Sequence, residues 1–97
     1  MFRTDLMKGK RILVTGGGTG LGKSMATRFL ELGAEVFICG RRLSVLEETA
    51  KEMADATGGK VTPLACDIRV ADAVEEVVAE VWRGGPLDAL VNNAAGN

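Results

Sequence analysis

The sequence predicts an α/β protein whose parallel sheet carries helices on both faces. Short apolar runs alternate with longer segments of helical periodicity, each long segment ends at glycine, and a glycine-rich loop follows the first apolar run. Parallel strands need crossover connections of about a dozen residues, and a helix is the usual crossover. Such crossovers are right-handed, and their helices cover the sheet. We therefore expect a doubly wound parallel sheet.

The first strand and the first helix are predicted on either side of the glycine-rich loop. Residues 11–15 form an apolar run typical of a buried strand, and residues 20–32 have helical periodicity that ends at Gly33. Residues 35–39 (EVFIC) form the second strand. Four large apolar side chains define the expected packing face of the helix: Leu21, Met25, Phe29 and Leu32.

The second helix is predicted to begin at a capping box. Ser44 fits the N-cap and Glu47 the residue that reaches back to it. Gly58 and Gly59 end this helix. Its apolar face is expected to contain Leu46, Ala50 and Met53.

The third strand is predicted at an edge of the sheet. It spans residues 61–66, and its Pro63 has no N–H to donate to a neighbouring strand. A third helix ends at Gly84, and residues 88–92 (DALVN) form the fourth strand. Valines form the apolar face of that helix: Val70, Val74, Val77, Val78 and Val81.

Composition excludes several classes of function. The 97 residues have a net charge of −1, so no basic field favours nucleic acid or an anionic membrane. There is no histidine and no C-x-x-C, which excludes a Cys/His zinc site, so we expect no metal. No apolar run approaches the roughly 18 residues of a membrane span. The short charged N-terminus does not resemble a signal peptide, so we expect a reduced, cytoplasmic protein.

The loop at residues 15–24, TGGGTGLGKS, fits two phosphate-binding patterns. In both patterns glycines let the backbone approach phosphates at the start of a helix. The loop alone leaves both alternatives open. The P-loop pattern for ATP or GTP consists of Gly17, Gly22, Lys23 and Ser24. The dinucleotide pattern T-G-x-x-x-G-x-G consists of Thr15, Gly16, Gly20 and Gly22.

The P-loop alternative also requires a magnesium-binding aspartate at the end of a neighbouring strand. Asp67 follows the third strand and could supply it. Lys23 would then contact the terminal phosphates, and Ser24 would bind magnesium. The alternative for these two residues is a solvated lysine and an ordinary serine in a helix.

The end of the second strand favours a dinucleotide, and NADP in particular. The residue about 20 positions after the glycines faces the adenosine ribose, and an acidic residue there favours NAD. Here the strand is followed by Gly40, Arg41 and Arg42, with no carboxylate. The planar guanidinium of Arg41 suits the 2′-phosphate of NADP. We expect Arg42 to be a solvated surface arginine.

Three motifs together resemble the short-chain dehydrogenase/reductases. They are TGGGTGLG at residues 15–22, CDI at residues 66–68 and NNAAG at residues 92–96, in the family's order. The resemblance covers essentially the whole chain and implies a Rossmann-type fold. In that fold the strand order is 3-2-1-4 and continues to a fifth strand.

The resemblance implies a role for each matching position. The pyrophosphate would lie against Gly16, Gly17, Gly18, Thr19, Gly20 and Leu21. Arg41 would bind the 2′-phosphate, and Asp67 the adenine amino group with Ile68 beside the ring. The nicotinamide ribose would lie against Asn93, Ala94 and Gly96, while Asn92 would mainly stabilise the sheet. The alternative for Asp67 is a cap on the helix that starts near Val70.

Within the family, GGGTGLGK and NNAAGN look like the 2,4-dienoyl-CoA reductase branch. That branch reduces a conjugated enoyl-CoA with NADPH during unsaturated fatty acid breakdown, so an acyl-CoA is the implied small-molecule substrate. The resemblance implies a CoA contact for Arg69, against the alternative of a solvated arginine.

One departure from the family concerns catalysis. The family uses a Tyr-x-x-x-Lys pair for proton transfer, and this chain contains no tyrosine. We expect the 97 residues alone to be inactive and assign no catalytic residue to them. A non-catalytic dinucleotide-binding module is the alternative.

The last predicted strand would leave an apolar edge that another strand could pair with. Residues 1–97 are therefore expected to be the N-terminal portion of a single dinucleotide-binding domain, truncated after its fourth strand. We expect the full-length form to be a homo-oligomer. Cys39 and Cys66 end neighbouring strands, so we expect two thiols that lie close together.

Overall fold

Four strands and three helices alternate along the chain in this computed structural model, which describes residues 5–16, 18, 20–67 and 69–93. All strand pairs are parallel, in the order β3-β2-β1-β4. The predicted element order and strand order are confirmed. The elements are β1 (Arg11–Thr15), α1 (Gly20–Glu31), β2 (Glu35–Gly40), α2 (Leu43–Thr57), β3 (Val61–Ala65), α3 (Ala71–Arg83) and β4 (Ala89–Asn92).

Helices cover both faces of the sheet, as the doubly wound fold requires. On one face, α1 and α2 pack on alternate residues of the central strands, among them Ile12, Val14 and Ile38. On the other face, α3 packs on Leu13 and Phe37. The central strands are apolar on both sides because helices bury both faces.

The buried face of α1 differs from the predicted one. Its buried residues are Gly22, Ala26 and Leu30, whereas Leu21 is 67% exposed. Met25, Phe29 and Leu32 are half-buried at the sides of the contact. The prediction was wrong because α1 lies so close to the sheet that small side chains occupy its line of contact.

The start of α2 also differs from the prediction. The helix begins at Leu43 with Arg42 as N-cap, and no side-chain cap bond is present within the described part of the chain. Ser44 and Glu47 lie inside the helix and are exposed. Because a capping serine needs extended backbone, Ser44 cannot cap a helix that starts one residue earlier. The predicted capping box was wrong.

The edge position of β3 and the end of α2 agree with the prediction. Among the described residues, β3 pairs with β2 alone, with Pro63 opposite Ile38. Gly58 caps α2, and its N–H donates to the carbonyl of Ala54 at 2.7 Å. In α3, Val77 and Val81 are buried as expected, but Val70 precedes the helix and is exposed.

Arg11 connects three elements at the amino-terminal edge of the sheet. Its guanidinium donates to the carbonyl oxygens of Val81, at 2.8 Å, and Gly85, at the end of α3. Its Nε donates to Glu35 Oε1 at 3.2 Å, and its charge lies 4.9 Å from the centre of the Phe37 ring. The cation satisfies carbonyls at the negative end of the helix dipole.

Candidate functional site

The carboxyl ends of the four parallel strands meet at one edge of the sheet. The residue or loop that follows each strand therefore lies at this edge. Gly16 follows β1, Arg41 follows β2, and Asn93 follows β4 directly, while Asp67 lies two residues beyond β3. In doubly wound sheets, ligands bind at this carboxyl edge. The four predicted positions therefore lie on a common edge.

The glycine loop begins with a turn at Gly16. Its φ of 66° lies in the left-handed region, which favours glycine. Its N–H donates to the carbonyl of Cys39 at 2.9 Å, which attaches the loop to β2. The buried hydroxyl of Thr15 lies 3.1 Å from Asn92 Oδ1 and accepts from the Asn93 N–H at 3.0 Å. Asn92 thus contacts β1 across the sheet, which supports the stabilising role expected for it.

Gly22 allows α1 to approach the loop and Asn93. A Cβ at Gly22 would lie 2.7 Å from Asn93 Nδ2 and would clash with the carbonyl group of Gly16. The same amide nitrogen is 3.5 Å from the Gly16 carbonyl oxygen. The sequence pattern contained Gly22, but the predicted cofactor contacts did not. The absence of a side chain at Gly22 therefore lets the start of α1 lie directly beside the glycine loop.

Helix α2 contacts the glycine loop from behind. The Thr49 hydroxyl donates to the carbonyl of Gly18 at 3.1 Å, and Leu46 packs against Gly18. No sequence motif indicated Thr49. Its one signal was a polar residue on the buried face of α2, beside Leu46, Ala50 and Met53.

Arg41 is exposed directly after β2, the position at which the sequence predicted it. Its positive charge contributes to the lowered pKa of Asp67, although it is the smallest of the causes. Arg41 and Asp67 therefore interact electrostatically at the same edge. Arg42 is also exposed and serves as N-cap of α2.

Asp67 and Arg69 form a bidentate ion pair. Arg69 Nε lies 3.0 Å from Asp67 Oδ1, and Arg69 Nη2 lies 2.9 Å from Oδ2. The backbone N–H of Arg69 also donates to Oδ1 at 3.0 Å. The Arg69 side chain and then its backbone N–H lower the pKa of Asp67 to about 2. The carboxylate therefore stays ionised at neutral pH.

The alternative role of Asp67 as a helix cap is wrong. The N-cap of α3 is Val70, and this cap has no side-chain hydrogen bond in the described part of the structure. The Asp67 carboxylate instead bonds to Arg69, one residue before the cap. Arg69 was expected either to contact CoA or to be solvated. Its side chain is exposed, as the second expectation has it, and its guanidinium pairs with Asp67.

The geometry does not favour the P-loop alternative. Lys23 Nζ points to α2 and bonds Glu52 Oε1 at 3.1 Å, and Ser24 is exposed. Asp67 follows β3, which is separated from β1 by β2. Two strand spacings amount to about 10 Å, too far for Asp67 and Ser24 to share one magnesium ion.

Cys39 and Cys66 are buried thiols whose side chains interact, as the strand order predicted. Burial, and then the neighbouring Cys66, raise the pKa of Cys39 to about 12. Burial also raises the pKa of Cys66. Both thiols therefore stay protonated at neutral pH, and they pack under the strand ends that precede Arg41 and Asp67.

Several predicted cofactor contacts lie outside the described residues. These are Gly17, Thr19, Ile68, Ala94 and Gly96. Of the others, Gly18 and Gly20 lie in or beside the loop, and Leu21 is exposed in the first turn of α1.

A depression of about 850 Å³ lies at the opposite end of the sheet, around Gly33 and Gly58. It is far from the strand ends described above, and its charged groups form pairs such as Lys60 with Glu35. The described residues contain no cluster of three potential metal ligands. None of the helices described is long and apolar enough to cross a membrane.

Comparison with known proteins agrees with this geometry. The family described as short chain dehydrogenase matches residues 10–97. The chain is 46% identical over 99 residues to a Caenorhabditis elegans protein named probable 2,4-dienoyl-CoA reductase 3. That match covers all of this chain and 32% of the relative, so the chain spans about a third of the relative's length.

Solved structures show the same fold. A citronellol catabolism dehydrogenase from Pseudomonas aeruginosa superposes with a TM-score of 0.88 at 43% identity, over 95% of this chain and 38% of that one. The Pseudomonas aeruginosa RhlG/NADP active-site complex superposes with a TM-score of 0.85 at 33% identity, over 97% and 38% of the two chains.

Proposed function

Because the chain belongs to the short-chain dehydrogenase family, we propose that it is the cofactor-binding portion of an NADP(H)-dependent oxidoreductase. Residues 1–97 would be the N-terminal portion of a single Rossmann domain that continues past β4. The length of the relatives supports this, since the chain spans 32% of the Caenorhabditis elegans protein.

Arg41 is the residue that would select NADP(H) over NAD(H). It lies at the end of β2 on the site edge, exposed, in a segment that offers no carboxylate to a ribose 2′-hydroxyl. A guanidinium at this position matches the charge of a 2′-phosphate. The structure neighbour that is an NADP complex is in accord with this choice.

The remaining residues of the edge fit the rest of the cofactor. The backbone at Gly16 and Gly18 and the start of α1 would bind the pyrophosphate, and the close approach of α1 to the loop at Gly22 supports this. The ionised Asp67 would accept from the adenine amino group, and Asn93 would contact the nicotinamide ribose. A bound nicotinamide supplies the hydride, and the protein orients it.

The proposed substrate is an enoyl- or 2,4-dienoyl-CoA thioester of fatty acid breakdown. The GGGTGLGK and NNAAGN motifs support it, as does the name of the Caenorhabditis elegans relative. The chain has no tyrosine, so the family's proton donor is not among these 97 residues. We propose that the 97 residues bind cofactor without turnover, and a non-catalytic module remains the alternative.

The test of cofactor choice is a titration of the purified protein with NADPH and NADH, followed by nicotinamide fluorescence. Arg41→Ala should weaken NADPH binding by about 10-fold or more, the value of a charged hydrogen bond, and leave NADH nearly unchanged. Arg42→Ala is the matched control and should bind both as the wild type does. Equal weakening of both cofactors by Arg41→Ala would remove the 2′-phosphate role.

The substrate class is tested separately, in the full-length enzyme. NADPH oxidation that depends on a 2,4-dienoyl-CoA, with none for the 97-residue chain alone, is the expected result. Oxidation by the 97 residues alone would contradict the assignment of proton transfer to other residues.

The proposal extends to location and assembly. The two buried thiols fit a reducing compartment, and we propose the cytoplasm. We also propose that the full-length form is a homo-oligomer. Cell fractionation and sedimentation test these two points.

A further inference from the structure

The hydrogen bond of Thr49 differs from those of two other helical threonines. Thr27 donates to the carbonyl of Lys23 and Thr57 to the carbonyl of Met53, each four residues earlier in its own helix. This is the usual local bond of a threonine in a helix. Thr49 instead donates to Gly18, 31 residues away, at 3.1 Å.

The surroundings of Thr49 make this bond specific. Thr49 is buried on α2, one turn from Leu46. A Cβ at Gly18 would lie 3.1 Å from Leu46 Cδ2, so the loop lies in tight contact with this face of the helix. A buried hydroxyl is costly without a partner, and the Gly18 carbonyl is the partner it has here.

We propose that Thr49 is a positioning residue for the pyrophosphate of the cofactor, an inference that rests on the proposed function. A backbone loop binds phosphates through N–H groups, whereas a carbonyl oxygen turned towards them repels them. Because it accepts from Thr49, the Gly18 carbonyl is directed to α2, and it would not face a pyrophosphate bound on the other side of the loop. The same helix begins two residues after Arg41, so α2 positions both phosphate contacts.

The test compares two ligands that differ in the pyrophosphate. Adenosine 2′-phosphate has the adenine and the 2′-phosphate, and 2′-phospho-ADP-ribose has in addition the pyrophosphate and the ribose attached to it. Both are measured by displacement of fluorescent NADPH from the purified protein. Thr49→Val keeps the shape of the side chain and removes the hydroxyl.

We expect Thr49→Val to weaken the binding of 2′-phospho-ADP-ribose by about 3- to 10-fold, the effect of one lost hydrogen bond. Its affinity for adenosine 2′-phosphate should be that of the wild type. Thr49→Ser should restore binding because it keeps the hydroxyl. Thr27→Val, the same substitution at a threonine bonded within its own helix, should bind both ligands normally.

Two results would overturn the positioning role. One is wild-type affinity of Thr49→Val for 2′-phospho-ADP-ribose, and the other is an equal loss for both ligands, which indicates general damage to the fold. If the wild-type protein binds neither ligand nor NADPH, the proposed function itself has failed. If it binds NADPH and the variant pattern is absent, only the role of Thr49 has failed.

Discussion

At the scale of single residues, the site combines a paired charge and an exposed one. Both arginines are exposed, but Arg69 contacts both oxygens of Asp67, whereas Arg41 forms no ion pair with the described residues. An anionic cofactor at this edge would therefore find the charge of Asp67 balanced by Arg69 and the guanidinium of Arg41 open to it. This division of roles suits a ligand with a phosphate beside an adenine amino group.

Replacing Arg69 by alanine should raise the pKa of Asp67 from about 2 towards its ordinary value of 3.8, because the largest cause of the shift is the Arg69 side chain. A carboxyl whose pKa is lowered in the folded state stabilises the fold above the unfolded pKa. That contribution is lost as pH falls from about 4 to about 2. The variant should lose less stability than the wild type across this window.

Carbon NMR titration of the Asp67 carboxyl measures the shift directly. Arg28→Ala is the control, since Arg28 pairs with Glu31 far from Asp67. An unchanged Asp67 pKa in Arg69→Ala would show that the backbone N–H or Arg41 dominates instead.

At the scale of elements, hydrophobic pattern predicted the strands better than the helix faces. The central strands are buried on both sides, so they appear as continuous apolar runs that any register preserves. The buried line of α1 is instead Gly22, Ala26 and Leu30, in which two members have no large side chain. Large apolar residues then mark the sides of the contact, and the pattern indicates the wrong face.

Parallel topology predicts where Arg41 and Asp67 lie, because the carboxyl ends of parallel strands meet at one edge of the sheet whatever the side-chain details. The bond from Thr49 to Gly18 could not be predicted, because it joins positions 31 residues apart and leaves no periodicity in the sequence. The pairing of Asp67 with Arg69 was missed because neither role considered for Asp67, the adenine contact or the helix cap, involves the guanidinium of Arg69.

Gly22→Ala should damage the packing of α1 and the cofactor site together. The added methyl would lie 2.7 Å from Asn93 Nδ2 and against the Gly16 carbonyl, where backbone must move to make room. Overpacking of this kind costs about 1–3 kcal/mol. We expect a lower melting temperature and a weaker affinity for NADPH than in the wild type.

Ser24→Ala is the matched control for this substitution, since Ser24 is exposed on the same helix. Its stability and NADPH affinity should match the wild type. A Gly22→Ala protein with unchanged affinity would mean that the close approach of α1 and Asn93 does not shape the site.

At the scale of the whole molecule, the two edges of the sheet have separate tasks. The carboxyl edge carries the proposed cofactor contacts, which are built from loops. The amino edge carries the Arg11 cluster, in which one guanidinium joins β1 to Glu35 of β2 and to the end of α3. The face covered by α3 thus depends on Arg11 as well as on buried Val77 and Val81.

Arg11→Met should therefore destabilise the fold without weakening the binding of the cofactor. The side chain is 14% exposed, and its loss leaves the carbonyls of Val81 and Gly85 without this donor, while Glu35 keeps Lys60 at 3.4 Å. The free energy of unfolding should fall by about 2–3 kcal/mol. The loss is limited because Glu35 keeps an ion pair with Lys60. Denaturant unfolding measures this loss. Arg28→Met is the exposed control, and its stability should lie within about 0.5 kcal/mol of the wild type.

Because Arg11 lies at the edge opposite the carboxyl ends of the strands, the NADPH affinity of the folded variant should be unchanged. A large loss of NADPH affinity at unaltered stability would show that the two edges are coupled and that the division of tasks is wrong.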